Sequence, residues 1–193
     1  MEQSAAKKAC RQQLRAQRSA LSVSEVQIAG LKILQHLRNH PRWQKAQRIG
    51  AYMAMCGEPA TRELCSAILN AGQTLALPRV STSQTLSWHQ VSRLEDLVSS
   101  SLDILEPQAT APQLSPHDFD ILLIPGVGFD SAGHRLGQGG GFYDWLLADL
   151  PSSTWRLGHA HQFQVLAQIP VEPHDEKVHA IVTPNGIIDI TTI

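Results

Sequence analysis

Apolar positions recur at helical spacing in the first quarter of the chain. Further on they recur in short runs. Cys10, Leu14 and Leu21 mark a thin apolar stripe on a segment whose Lys7, Arg11 and Arg15 repeat every four residues, so these cations share one face of a basic helix over 5–20. Ser22 and Glu25 have capping-box spacing, in which the serine accepts from a backbone N–H and the glutamate reaches back. A second helix follows with Val26, Ala29, Ile33 and Leu37 inward, ended by Asn39, His40 and Pro41. Residues 48–55 predict a strand carrying Ile49, Tyr52 and Met53. Residues 61–71 predict a helix with Leu64, Ile68 and Leu69 inward, stopped by Gly72. Strands are predicted over 74–77 and, at a sheet edge, 86–91. Pro107, Pro112 and Pro116 make 105–118 a surface loop. The run 121–124, closed by Pro125, suits a strand covered on both faces. Beyond it come a glycine-rich loop, a helix over 140–150, strands over 155–160 and 180–183, and a last one over 187–190.

Strands alternate with helices, which predicts an α/β three-layer sandwich around a mostly parallel or mixed sheet. No internal repeat is visible. Cutting at the Pro-rich stretch would leave each side with too few strands for a core, so 1–193 is expected to form a single domain. With 193 residues the chain buries about 70% of its unfolded surface and needs no staple. Apolar residues at 42% and charged residues at 17% exclude wholesale disorder. A net charge of -1 gives no general pull toward nucleic acid or anionic membrane, and no apolar run approaches the ~20 residues of a membrane span. Cys10, Cys56 and Cys65 are an odd number without CxxC spacing, which excludes a complete disulfide framework and the usual zinc patterns. They fit a reducing compartment, with the cytoplasm expected. The start lacks the apolar stretch of a secretory signal, although its basic, acid-poor character superficially suits an organelle transit peptide.

The chemistry concentrates between Pro125 and Asp144. A buried strand runs into Gly137, Gly139, Gly140 and Gly141, and a helix opens on them. Glycines let backbone N–H groups approach a ligand closely, and such groups at a helix start attract phosphate. Arg135 adds a planar cation able to bridge phosphate oxygens. Asp144 falls one helical turn past the glycines, where a carboxylate can hold Mg²⁺ beside that phosphate. No Gly-Lys-Ser/Thr follows, so this is not a Walker A loop; Phe142 fills the third glycine position of the dinucleotide fingerprint. Two readings stay open: a phosphate cradle, or a tight turn that needs glycine. Alone, the Lys7–Arg18 stripe reads as a solvated helix face, Glu58 as a loop acid and Asp175 as a turn residue. The pairs His159/His161 and His174/His179 lack a recognisable third zinc ligand. Trp43, Trp88, Trp145 and Trp155 are expected in core or rim packing, and no cysteine has an evident histidine partner.

Pro125-Gly-Val-Gly-Phe-Asp130 and Arg135-Leu-Gly-Gln-Gly-Gly-Gly-Phe-Tyr-Asp144 resemble the signature of the 5-formyltetrahydrofolate cyclo-ligase (methenyltetrahydrofolate synthetase) family. Lys7 and Arg11 fit its Lys-x-x-x-Arg, and Met53 and Glu58 its substrate strand and following acid. Leu77-Pro78-Arg79 and Ile104-Leu105-Glu106-Pro107 match shorter signatures, and Asp175 a late metal-binding aspartate. The resemblance implies a fold related to ribose-phosphate isomerase and CoA-transferase domains. It implies ATP- and Mg²⁺-dependent closure of 5-formyltetrahydrofolate to 5,10-methenyltetrahydrofolate, through phosphorylation of the formyl oxygen and attack by N10, with release of ADP and phosphate. It assigns ATP to Lys7, Arg11, Arg135, Leu136, Gly137, Gln138, Gly139, Gly140, Gly141, Phe142 and Tyr143, with Lys7 and Arg135 catalytic. It assigns folate to Met53, Glu58 and Tyr143, and Mg²⁺ to Asp144 and Asp175. Gln138 stands where many relatives carry a basic or bulkier residue, and Pro59 directly follows Glu58. With Lys7 and Arg11 as ligands the transit-peptide reading recedes. Small-molecule substrates, no nucleic acid, no membrane and a monomer are expected. A noncatalytic folate or nucleotide binder is the alternative from a different class.

Overall fold

The computed structural model describes residues 2–80, 85–100, 104–172 and 175–190. Helix α1 (Glu2–Ser19) leads into α2 (Val23–Arg38) through the expected capping box: Ser22 Oγ accepts from the Glu25 N–H at 3.2 Å, and Glu25 Oε2 from the Ser22 N–H at 2.8 Å. The helix stops at Asn39 as expected, and the chain turns a corner there. His40 Nδ1 accepts from the Arg42 N–H, Pro41 takes a first-turn position where its missing N–H costs nothing, and a short α3 (Pro41–Lys45) forms. Then come β1 (Arg48–Gly50), α4 (Arg62–Asn70), β2 (Thr74–Val80), β3 (Leu86–Val91), and the two-residue β4 (Val98–Ser99), β5 (Leu105–Glu106) and β6 (Gln113–Leu114). The second half holds β7 (Ile121–Pro125), β8 (Gly128–Asp130), β9 (Arg135–Leu136), α5 (Phe142–Asp149), β10 (Trp155–His159), β11 (Val165–Leu166), β12 (Ala180–Thr183) and β13 (Gly186–Asp189).

The main sheet has eight strands in the order β13-β12-β10-β7-β1-β2-β3-β6. Its centre, β12 through β2, is parallel; β13, β3 and β6 join antiparallel at the flanks. Ile33 and Leu37 of α2 and Leu64 and Ile68 of α4 cover one face over Ile49, Leu75, Leu123 and Leu157. Leu147 of α5 packs on the other with Phe119, Leu122, Ile124 and Phe129. This is the expected three-layer sandwich, and β7 is apolar throughout because both its faces are covered. Burial of each such large side chain contributes about 1.5–3 kcal/mol.

Four local expectations are corrected. β1 stops at Gly50, and 51–55 are irregular, because the chain must leave the sheet to make the tight turn at Cys56 (φ 50°) and Gly57 (φ 75°). β3 is not the edge: Trp88 pairs with Leu114 of β6. The 105–118 stretch holds β5, β6 and a 3-10 turn at Pro116–Asp118, since its prolines fall between the pairing residues rather than on them. β2 also outruns its predicted end. Past Ala76 its only ladder partner among the described residues is β3, so Pro78 has no ladder bond to lose on its other side.

The chain order reverses between β1 and β7: β1 leads to β2 on one side, β7 to β10 and β12 on the other. The segments leaving the carboxyl ends of β1 and β7 therefore diverge, which is where open α/β sheets form ligand crevices. Among the described residues no helix is long and apolar enough to cross a membrane.

Candidate active site

A cavity of about 630 Å³ opens at this divergence. Its walls come from α1 (Arg15, Arg18), the segment after β1 (Tyr52, Met53, Met55, Cys56, Glu58), and the tip of β2 with neighbouring strands (Pro78, Val80, Leu86, Leu105, Glu106). The glycine loop closes it with Arg135, Gly137, Gln138, Gly140, Gly141, Phe142, Tyr143 and Asp144.

The loop is built by backbone geometry. Gly139 (φ 106°) and Gly141 (φ 72°) occupy conformations that L side chains rarely adopt. Gly141 is the N-cap of α5 and supplies no side-chain acceptor, so the first-turn N–H groups of that helix lack a capping side chain. Arg135 is buried beneath them. Its Nη2 meets Asp144 Oδ1, its Nη1 donates to the Pro125 carbonyl at 3.3 Å, and its guanidinium lies 5.6 Å from the Tyr143 ring centre. Among the described residues Arg135 Nε has no partner. A Cβ on Gly137 would come within 2.7 Å of Arg135 Nη1, so a side chain there would push the guanidinium from this position.

Helix α1 straps the loop. Lys7 Nζ pairs with Glu172 Oε2 at 2.6 Å and Asp175 Oδ2 at 2.7 Å. Burial alone would lower its pKa, but the two carboxylates together raise it. Arg11 Nε donates to the Gly137 carbonyl at 2.8 Å, and Arg15 holds the Gln138 side chain. Lys7, Arg11, Leu136, Gly139 and Asp175 lie outside the cavity wall. The Leu136 side chain instead packs with Leu14, Val127 and Ile169, leaving only its backbone for a ligand. Met53, Glu58 and Tyr143 do reach the wall together with Arg135 and Asp144.

The carboxylates expected to hold a metal are each engaged by a cation, Asp144 by Arg135 and Asp175 by Lys7. Among the described residues no three His, Cys, Asp or Glu side chains form a preassembled cation cage. His174 lies outside the described residues.

Arg18 is the functional candidate that the sequence reading left on a solvated face. It is 3% exposed, and its Nη1 lies 3.3 Å from Glu58 Oε1. The only signal was spacing, since Arg18 continues the stripe of Lys7, Arg11 and Arg15 by one further turn. Burial pushes the Glu58 carboxyl up, opposed by Arg18 and by the Met55 N–H. The 52–58 segment is braced from below. Tyr52 Oη lies 2.8 Å from His159 Nδ1, and His161 Nε2 lies 2.9 Å from the Gly57 carbonyl. Burial drives His159 down to about 3, so this ring is neutral across the physiological range. His159 and His161 are thus structural props with separate partners. Trp43, Trp88 and Trp155 are buried, whereas Trp145 on α5 is 83% exposed.

Fold and site place the chain in a definite class: α/β proteins whose ligand cavity opens where parallel strands end and their loops part. More particularly, it belongs to the 5-formyltetrahydrofolate cyclo-ligase family, whose profile matches residues 3–184. Its relatives are enzymes. It is 31% identical over 181 residues to 5-formyltetrahydrofolate cyclo-ligase of Escherichia coli K12, an alignment that covers 90% of this chain and 98% of that one. It is 28% identical over 187 residues to the Mus musculus protein of the same name, covering 91% and 92%. The solution structure of Aquifex aeolicus 5,10-methenyltetrahydrofolate synthetase superimposes with a TM-score of 0.86 at 28% identity, over 97% of this chain and 94% of that one.

Proposed function

We propose that this enzyme closes 5-formyltetrahydrofolate to 5,10-methenyltetrahydrofolate at the expense of ATP, with Mg²⁺ as the accompanying cation. The observation that carries the reading is the joining of two unlike surfaces in one cavity: an apolar slot at Met53, Val80 and Leu86, and a glycine loop backed by buried Arg135. The slot suits a reduced pterin and the loop a phosphate chain.

A formamide oxygen is a poor leaving group. In the proposed reaction the formyl oxygen attacks the terminal phosphorus and ADP departs. N10 then attacks the activated formyl carbon, and phosphate leaves, taking up the N10 proton, as the methenyl bridge forms. No protein nucleophile is required, since phosphoryl transfer asks chiefly for positioning and charge stabilisation. The N–H groups from Gly137 to Tyr143 receive the phosphates, and Arg135 offsets charge that develops on them. The unpartnered Arg135 Nε and the side-chain-free start of α5 fit such a ligand. Arg11 adds positive charge from α1, and Lys7, held by Glu172 and Asp175 in the unliganded protein, would add its own on exchanging a carboxylate for phosphate. Met53, Glu58 and Tyr143 border the folate.

Asp144 and Asp175 are the proposed holders of Mg²⁺. That ion keeps most of its waters and takes only one or two carboxylates besides phosphate. When bound, it would neutralise phosphate charge. The eight-stranded sheet draws strands from both sides of the Pro-rich stretch, which supports a single domain. Three free cysteines support a reducing, cytoplasmic setting for a monomer that handles small molecules rather than nucleic acid or membrane.

Pure, folded protein supplied with 5-formyltetrahydrofolate, ATP and Mg²⁺ should develop methenyl-folate absorbance, with one ADP released per ring closed. Binding of both substrates without ADP release would instead select a noncatalytic binder.

A further inference from the structure

The cavity contains a second buried carboxylate, and it is held quite differently from Glu58. Glu106 sits on β5 against the tip of β2, is 4% exposed, and lines the cavity among Pro78, Val80, Leu86 and Ile104. Its best internal hydrogen bond is long: the Val80 N–H reaches Oε1 at 3.4 Å. Arg79 Nη1 lies 3.9 Å from Oε2, too far for a hydrogen bond, and donates instead to the Pro107 carbonyl. In Glu58, by contrast, one oxygen is taken by Arg18 and the other by the Met55 N–H at 3.1 Å.

An ionised carboxylate offers about four acceptor positions. Burying one with so few of them used is strongly unfavourable, unless a ligand brings the missing donors. Among the described residues both oxygens of Glu106 are nearly unspent and lie in an apolar wall, so the fitting group is a planar edge with two parallel N–H donors, the geometry by which a guanidinium meets a carboxylate.

We propose that Glu106 receives the ring N–H and exocyclic amino group of the substrate's 2-amino-4-oxopyrimidine edge, with Arg79 as a positioning residue. This rests on the folate reading above for the identity of the substrate. Glu58, already engaged at each oxygen, is left to a single further ring donor.

The test compares 5-formyltetrahydrofolate with its 2-desamino analogue on the wild-type enzyme and on Glu106→Gln. Wild type should favour the natural substrate by about 10–100-fold in KM, the scale of a lost charge-assisted hydrogen bond. Glu106→Gln should raise KM for the natural folate by a similar factor and lose most of that preference. Its kcat should stay within about threefold, and its calorimetric affinity for ATP should not change, which a general structural defect would not spare. Equal use of the two folates by wild type, within about twofold, overturns the proposal even if the variant fails to fold. So does an unchanged KM in a folded Glu106→Gln. If wild type turns over neither folate, the reaction assigned above is what fails; calorimetric binding of the two folates then decides on Glu106 by the same ratios.

Discussion

Arg135→Ala is expected to cut turnover of 5-formyltetrahydrofolate by about 10²–10³-fold, the scale for removing a preorganised charge stabiliser from a transition state. Arg135 is 7% exposed, and its position is over-determined by Asp144, the Pro125 carbonyl and the Tyr143 ring. Gly137 keeps the space above it open, because a side chain there would strike the guanidinium. A cation fixed this way needs no reorganisation when phosphate charge develops. Its removal should leave the fold standing, since Asp144, the carboxylate it abandons, is partly exposed and can be solvated. The loss should therefore appear in kcat and in ATP affinity, with the thermal unfolding temperature little changed. Methenyl-folate absorbance at saturating substrates reads the first, and a loss below about threefold contradicts the role.

Arg18→Ala should instead strike stability, by about 3–5 kcal/mol in urea unfolding, because it leaves the Glu58 carboxylate buried and unpaired. Arg18→Met combined with Glu58→Gln should recover much of that loss, since a buried pair replaced whole costs far less than a pair broken. The pH dependence has a definite sign. Burial raises the Glu58 pKa above its ordinary 4.5, and without Arg18 that push is unopposed by its nearest cation. The folded state then holds a proton that the unfolded chain has already released. Stability of Arg18→Ala must accordingly fall as pH rises above 4.5, and be least impaired below it. A penalty that is flat between pH 4 and 7 contradicts the unpaired-carboxylate account.

Much of this was legible in the sequence where local chemistry decides the outcome. The capping box at Ser22 and Glu25, the doubly covered β7 and the glycine loop opening a helix all rest on residues adjacent in the chain. The resemblance carried the family as well, because its most specific motif is one continuous stretch. The misses depend on pairing between distant segments. β6 covers β3 through two residues of a Pro-rich stretch, a contact too short to leave a periodic pattern. β1 ends early because Glu58 must be delivered to the cavity, a demand not visible in the apolar run itself. Arg18 read as solvated because nothing local separates it from Arg15, yet one side chain faces Glu58 and the other Gln138. Glu106 shows its character only beside Val80 and Arg79, which lie 26 and more residues away.

The central claim is that the loop from Gly137 to Tyr143 holds the phosphates of a nucleotide next to the apolar slot. Isothermal calorimetry of a non-hydrolysable ATP analogue with Mg²⁺ addresses it without requiring turnover. The account predicts a single saturable site per chain whose heat is lost when the analogue is replaced by adenosine, because the grip is on phosphate. A folded protein that gives no saturable heat with the analogue, or binds adenosine as tightly, contradicts it.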